Sequence, residues 1–332
     1  MKPQLKIFFT DFWPVFNIND NIFVDLLSKE FDLMITPDDP EYLFYSVFGT
    51  EFHKYKCTRI FFTGENISPD FNECDYAFSF EIQKDNPRNY RLPQYYQYGD
   101  MYELTKPKDP QKILDGKTKF CNFIYSNPSC KKRNAFFKKL SRYKKVDSAG
   151  RFMNNINTQI GPTPQDKWDF MSPYKFSITF ENEEARYYTT EKIYEAMKVN
   201  SIPIYWGNPE INLDFNTKSF LNYYDHGSDE KLIEKIIELD QDDEKYMEML
   251  AQPYFDNNEP NQFVKDENIM KQFEYIFSNK ITPAGLRSPY HRSNPALRIP
   301  GIAGIRLKHA MNQMARKIRY FSFHKISMKL KS

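Results

Sequence analysis

Residues Tyr174 to Pro209 read YKFSITFENEEARYYTTEKIYEAMKVNSIPIYWGNP. An apolar run, Phe176–Phe180, has the length and composition of a buried strand. It opens into the polar tetrad Glu181-Asn182-Glu183-Glu184. A helical pattern follows over Thr190–Val199, and a second strand over Ile202–Trp206. In α/β sheets, ligands bind outside the carboxyl ends of strands. A helix N-terminus there offers unpaired N–H groups and a positive dipole end to phosphate. Lys192, in the first turn, would add a full charge. Glu191 would repel phosphate and suits a sugar or ribose hydroxyl, or developing positive charge. The same residues also fit an ordinary helix start, with Thr189 or Thr190 as N-cap and Glu191 as a first-turn acid. Spacing alone leaves both readings open.

Working outward, the β/α alternation occurs twice. The first round contains strands Leu5–Phe9, Asp32–Ile35, Leu43–Val47, Arg59–Thr63 and Tyr76–Phe80, with a helix around Ile22 to Leu27. After the Pro- and Lys-containing stretch Thr105–Lys112 comes strand Lys119–Tyr125, then helix Lys131–Tyr143. The central block follows, then helices Asp229–Leu239 and Phe263–Phe277. This predicts two Rossmann-like α/β domains facing each other across a cleft, residues 1–112 and 113–285, followed by a basic tail, 286–332.

Composition removes several chemistries. The chain has 332 residues, with 30 Phe, 23 Tyr and 3 Trp, enough for sizeable cores despite a mean hydropathy of −0.71. Its 11 glycines form neither G-x-G-x-x-G nor G-x-x-x-x-G-K-[ST], which argues against common dinucleotide and P-loop sites. The five histidines are scattered and the four cysteines make no C-x-x-C pair, so no zinc site is expected and reduced thiols are. Met1–Asp11 has no apolar export signal, which points to the cytoplasm.

The net charge of +2 hides an asymmetry. From Arg287 to Ser332 there are 11 Lys or Arg and no acid; taking those from the 46 basic residues leaves 35 against 44 acidic, a net of −9 for the body. Ile305, Ala310, Met314, Ile318 and Phe321 recur at helical spacing among these cations. Three readings stand: an interfacial helix on an anionic membrane, a nucleic-acid contact, or a segment packed on the body. The body has no recognised nucleic-acid module, so no nucleic-acid partner is expected.

The central block resembles the signature of the α-1,3/1,4-fucosyltransferases, glycosyltransferase family 10: F-E-N (Phe180-Glu181-Asn182), a tyrosine (Tyr188), T-E-K (Thr190-Glu191-Lys192) and I-P-I-Y-W-G-x-P (Ile202 to Pro209). Phe61-Phe62-Thr63-Gly64-Glu65-Asn66, Phe71-Asn72 with Asp75-Tyr76-Ala77, and Arg133-Asn134-Ala135-Phe136 are similar to further motifs of that family. The resemblance covers roughly residues 1–280. It implies an inverting transferase of the two-domain GT-B type with GDP-fucose as donor and no required metal or other cofactor. It further implies that Arg133, Asn182, Tyr188, Glu191 and Lys192 bind the donor and that Glu65 is the general base. The product expected is an α-1,3 linkage to N-acetylglucosamine in an N-acetyllactosamine-type surface glycan, lipid-linked in one version of this reading; the alternatives are another GDP-sugar or an α-1,4 linkage, or a non-catalytic glycan- or membrane-binding protein that retains the fold. The heptad repeats of some bacterial members are not seen ahead of the tail, and the anchored stem of animal members is not expected, so a bacterial cytoplasmic form is expected, with the tail, residues 302–330, holding the enzyme at the inner face of the plasma membrane.

The residues themselves are compatible with those roles. Lys131, Lys132 and Arg133 follow a strand at a helix start, and an Arg fork binds phosphate oxygens in bidentate fashion. Glu65 follows a strand on a glycine turn, where a carboxylate could take a proton from an attacking hydroxyl. Glu191 could balance an oxocarbenium-like charge. Asp240-Gln241-Asp242 is a formal D-x-D, read here as a solvated turn. Tyr95, Tyr96, Tyr98 and Tyr102 are read chiefly as core, and Asp11-Phe12-Trp13 as a possible edge of an acceptor site.

Overall fold

Parallel strands buried on both faces need near-continuous apolar runs, and the runs in this chain become such strands. The computed structural model describes residues 1–279 and 281–287. They form two α/β units: Met1–Leu92 with the segment starting at Asp266, and Pro93–Lys265.

The first unit contains β1 (Gln4–Thr10), α1 (Ile22–Leu27), β2 (Asp32–Ile35), β3 (Tyr42–Tyr45), β4 (Thr58–Phe62), β5 (Tyr76–Ser79) and β6 (Asn89–Arg91). The sheet is parallel throughout, in the order β2-β1-β3-β4-β5-β6. Asn21 starts α1 by accepting the N–H groups of Phe23 and Val24. Phe23 is fully buried, with its ring 4.8 Å from Phe44, 5.1 Å from Phe62 and 5.5 Å from Phe78. Alternate residues of the same strands, Leu43, Tyr45, Phe61 and Ala77, build the core on the other face.

The second unit contains α2 (Pro110–Asp115), β7 (Lys119–Phe123), α3 (Lys131–Leu140), β8 (Val146–Ser148), α4 (Pro164–Met171), β9 (Tyr174–Ile178), α5 (Glu191–Lys198), β10 (Ile202–Tyr205), β11 (Leu221–Asn222), α6 (Tyr223–His226), α7 (Asp229–Gln241) and α8 (Asp243–Ala251). Its parallel sheet runs β11-β10-β9-β7-β8. Phe136, Leu140, Ile236 and Leu250 from α3, α7 and α8 cover one face. On the other, Ile193, Tyr194 and Met197 of α5 pack with Tyr95, Met101 and Leu104. The chain then returns to the first unit. Phe273 of α9 (Asp266–Ser278) lies 4.9 Å from Phe78, and Ala284 in α10 (Ala284–Arg287) donates its N–H to Asp75 at 2.8 Å.

The alternation predicted two parallel α/β units of GT-B type, and two are found. The expected divisions after 112 and 285 need correction. Residues 93–112 belong to the second unit because Tyr95, Met101 and Leu104 complete the core around α5. Residues 266–287 belong to the first because the apolar face of α9 covers its sheet. A periodic pattern specifies a helix without naming the sheet it covers. The expected helix Lys131–Tyr143 stops at Leu140, with Ser141 as its C-cap. The expected strand Phe176–Phe180 becomes Tyr174–Ile178. Short β6, β8 and β11 carried no pattern of their own. The tail reading, residues 302–330, lies outside the described residues.

Candidate functional site

At the carboxyl edge of the second sheet, the strand β9 ends while its pairing with the β10 side continues: Thr179 donates to Ile204 O at 2.8 Å and Glu181 to Trp206 O at 2.7 Å. This turns the Glu181 side chain inward, where it is fully buried. Its carboxylate accepts Thr190 N–H at 2.8 Å and Thr190 Oγ1–H at 2.7 Å. Glu181 therefore caps α5 from outside the helix, satisfying the N–H of its N-cap residue Thr190 and meeting the positive end of the helix. Gly207 makes room for it. With φ at +154°, a Cβ there would lie 2.4 Å from Glu181 Cγ.

Lys192 completes the cluster. Its Nζ is 2.7 Å from Thr190 Oγ1 and 3.2 Å from each of Glu181 Oε2 and Glu191 Oε1. Burial opposes its charge, but the two carboxylates outweigh that and raise its pKa well above the ordinary value. Burial likewise opposes the Glu191 charge, and Lys192 with Lys167 outweighs it, holding Glu191 below the usual carboxylate range. Glu181 behaves differently, since burial dominates and raises its pKa. Behind Glu191, Lys167 of α4 pairs with the buried Glu195 one turn along α5.

Arg133 lies in the first turn of α3 with its guanidinium stacked 3.8 Å above the Tyr125 ring and wholly buried. One terminal nitrogen donates to Asn182 Oδ1 at 2.9 Å, the other to Asn127 O at 2.7 Å. Its Nε has no hydrogen-bond acceptor among the described residues. The fork expected to clasp phosphate is thus turned onto the protein. This orientation fixes the neighbouring amide: because Oδ1 of Asn182 faces the guanidinium, its NH₂ group is directed elsewhere and donates to nothing among the described residues. Lys132 lies 3.7 Å from the Tyr223 ring centroid, while Lys131 is exposed.

A second network fixes the loop between Asn182 and α5. Tyr187, in the left-handed region at φ 67°, donates its N–H to Asn208 Oδ1 at 2.7 Å. Thr189 donates to Asp214 Oδ2 at 2.6 Å, and Tyr95 to Asp214 Oδ1 at 3.1 Å. Tyr188 is buried and is one of the groups that favour the Lys192 cation. The structure thus gathers four of the expected donor residues, Tyr188, Glu191, Lys192 and Asn182, with Arg133 behind Asn182. Sequence reasoning passed over Glu181, Asn208, Asp214 and Lys167. Glu181 and Gly207 stand inside the quoted motif, and the pairing of a strand-end acid with a positive-φ glycine was a usable signal.

Glu65 belongs to the first unit. It is exposed, on the turn after β4, with its N–H bonded to Thr63 Oγ1 at 3.1 Å. Asp240 and Asp242 have structural duties and do not form a solvated turn. Asp240 accepts from Tyr143 and Lys144, each at 2.9 Å, and Asp242 caps α8. Among the described residues, no three His, Cys, Asp or Glu side chains gather as a metal-binding group. Nor is any described helix long and apolar enough to cross a membrane. Tyr95, Tyr96 and Tyr98 pack in the α5 core, and Tyr102 is exposed.

Two all-parallel α/β units in one chain, one edged by a cation held between carboxylates, are the GT-B type of architecture. The family model described as "Alpha-(1,3)-fucosyltransferase FucT N-terminal domain" matches residues 7–98, and "Glycosyltransferase family 10 (fucosyltransferase) C-term" matches residues 114–273. The chain belongs to glycosyltransferase family 10. It is 30% identical over 289 residues to an α-(1,3)-fucosyltransferase of Helicobacter pylori, an alignment covering 75% of this chain and 60% of that protein. A crystal structure of an α1,3-fucosyltransferase with GDP-fucose matches at TM-score 0.71 and 26% identity, covering 85% of this chain and 93% of that one. Another, with GDP, matches at 0.72 and 27% identity, covering 85% and 92%. The chain therefore spans about 60% of the length of the curated relative and nearly all of the solved ones.

Proposed function

We propose that this chain transfers L-fucose from GDP-β-L-fucose to O3 of an N-acetylglucosamine residue, with inversion. The observation that carries the reading is the Glu181–Lys192–Glu191 cluster at the start of α5, beside Asn182 and at the carboxyl edge of a parallel sheet. Family membership and the GDP-fucose complex of a solved relative support the donor. Lys192 and the Arg133 charge offset the developing charge on the leaving GDP, and the Asn182 amide donates to the donor. Tyr188 borders the donor's place. Glu191, held ionised by Lys192 and Lys167, faces developing positive charge on the sugar. In the reaction, the acceptor O3–H gives its proton to Glu65, O3 bonds to the anomeric carbon, and the bond from that carbon to GDP breaks. One displacement on a β-linked donor gives the α product. The residues invoked need no metal.

Incubation with GDP-fucose, GDP-mannose or UDP-galactose, each with N-acetyllactosamine and with or without EDTA, tests this. GDP release and an α-1,3-fucosylated product are expected with the first donor alone, unaffected by chelation. Another donor, or an α-1,4 product, would replace the reading. Arg133→Lys tests the arginine. A lysine cannot both stack and hold Asn127 and Asn182, so GDP should bind about tenfold more weakly; an unchanged dissociation constant removes Arg133 from donor binding. The basic segment 302–330 is proposed to hold the protein at the cytoplasmic face of an anionic membrane, near a lipid-linked acceptor. Equal sedimentation with phosphatidylserine vesicles, with and without residues from 302 onward, would end that part.

A further inference from the structure

The first unit carries a partly exposed aromatic surface at the rim of its core. Immediately after β1, Asp11 adopts the left-handed region at φ 60°, costly for a residue other than glycine. Three contacts hold it. Its carboxylate accepts Glu51 N–H at 3.0 Å and Phe52 N–H at 2.8 Å, and its carbonyl accepts Phe48 N–H at 3.0 Å. The loops leaving the carboxyl ends of β1 and β3 are thereby locked together. Glycine at 49 is part of the lock, since a Cβ there would lie 2.1 Å from Asp11 Oδ1.

The lock presents rings. Phe12 stacks on Phe16 at 3.9 Å, Trp13 meets Phe16 edge-on at 5.1 Å, and Phe48 closes on Trp13 at 6.4 Å. All four are partly exposed, and Val15 in the same loop is 87% exposed. The indole N–H of Trp13 donates to no group among the described residues. Phe12 also stacks at 6.4 Å on Phe62, which ends β4 three residues before Glu65. The rings and the acid therefore share one edge of one parallel sheet, where α/β folds bind ligands.

We infer that Trp13, with Phe48 and Phe16, is the platform for the acceptor's pyranose ring, Trp13 stacking on its apolar face and donating its indole N–H to a ring substituent. A neutral sugar offers C–H faces and hydroxyls, which an aromatic ring with a polar tip matches. This deepens the proposed transferase reading and rests on it. The test uses Trp13→Ala and Trp13→Phe in the full chain, with circular dichroism confirming the fold; the phenylalanine variant keeps a ring and guards against a misfolded alanine variant. The acceptor KM should rise about tenfold for Trp13→Ala and about threefold for Trp13→Phe, with the GDP-fucose KM unchanged. Saturation-transfer NMR titration with N-acetyllactosamine should show wild-type binding that Trp13→Ala weakens about tenfold. An unchanged acceptor KM, an equal rise in donor KM, or an NMR-titrated acceptor affinity that Trp13→Ala leaves unchanged would overturn the platform. Wild-type protein that neither binds GDP nor hydrolyses GDP-fucose would overturn the transferase reading instead, and the NMR comparison would still judge the platform.

Discussion

The carboxyl edges of the two sheets solve different problems with one fold. In the second unit the edge is ionic and dry. Glu181 is fully buried, Arg133 is fully buried, and Lys192 is shared by two carboxylates. In the first unit the edge is aromatic and more open: Glu65 is exposed, and partly exposed rings stand on the same sheet edge. A charged ligand such as a nucleotide diphosphate must lose its hydration, so its site repays charges already desolvated and fixed. A neutral sugar loses less, and surface with a few donors suffices for it. The comparison therefore predicts that variants of the ionic edge disturb folding and donor binding together, while variants of the aromatic edge change rate or acceptor affinity and leave folding alone.

Removing the cation from the ionic edge should have the largest effect. Lys192→Ala leaves Glu181 buried without a counter-charge, and breaking such a pair costs about 3–5 kcal/mol. Urea titration should show that loss, and calorimetry should show weakened GDP binding. Stability within about 1 kcal/mol of wild type would mean the cluster is not a coupled unit. Glu65→Gln is the contrasting case. Turnover should fall by about a hundredfold or more, with GDP affinity unchanged. Normal turnover would remove Glu65 as the base.

The two glycines sharpen the contrast further. Gly207→Ala imposes a side chain at φ +154° and drives it against Glu181 Cγ, part of the buried cap. About 2 kcal/mol should be lost, read as a lowered melting temperature. Gly49→Ala meets the Asp11 side chain, closest at Oδ1, at a position where φ is not positive. It should cost less than Gly207→Ala. The reverse order would mean that Glu181 can move aside more readily than Asp11.

Much of this was legible before any coordinates. The apolar runs of β1 to β5, β7, β9 and β10 announce a parallel α/β chain because strands buried on both faces need them. The helix start at Glu191 and Lys192 follows from the same block. Arg133 was legible as a cation near the site but not in its orientation, because the sequence does not show that Asn127, Tyr125 and Asn182 surround it. Glu181 was hidden for a similar reason. A strand-end acid reads as solvated until its fold-back onto Thr190 is seen. The return of α9 to the first sheet is likewise a fact of packing, with no local signal in residues 266–278.

The gentlest probe of the ionic edge is pH. The carboxyl of Glu191 is held below its ordinary value of 4.5; burial works against that, and Lys192 and Lys167 prevail. A carboxyl that binds its proton less readily folded than unfolded stabilises the fold above the unfolded value, and that contribution fades as pH falls through the folded one. Glu191 should therefore add stability at neutral pH that is lost progressively below about pH 4.5. The side chain is 19% exposed and shares its cations with Glu181 and Glu195, so the effect should be about 1 kcal/mol. Unfolding followed by fluorescence from pH 3 to pH 6 should show a flatter acid limb in Glu191→Gln than in wild type. Parallel limbs for wild type and Glu191→Gln would mean that Lys192 and Lys167 serve Glu181 and Glu195 alone, and that Glu191 is not held ionised for chemistry.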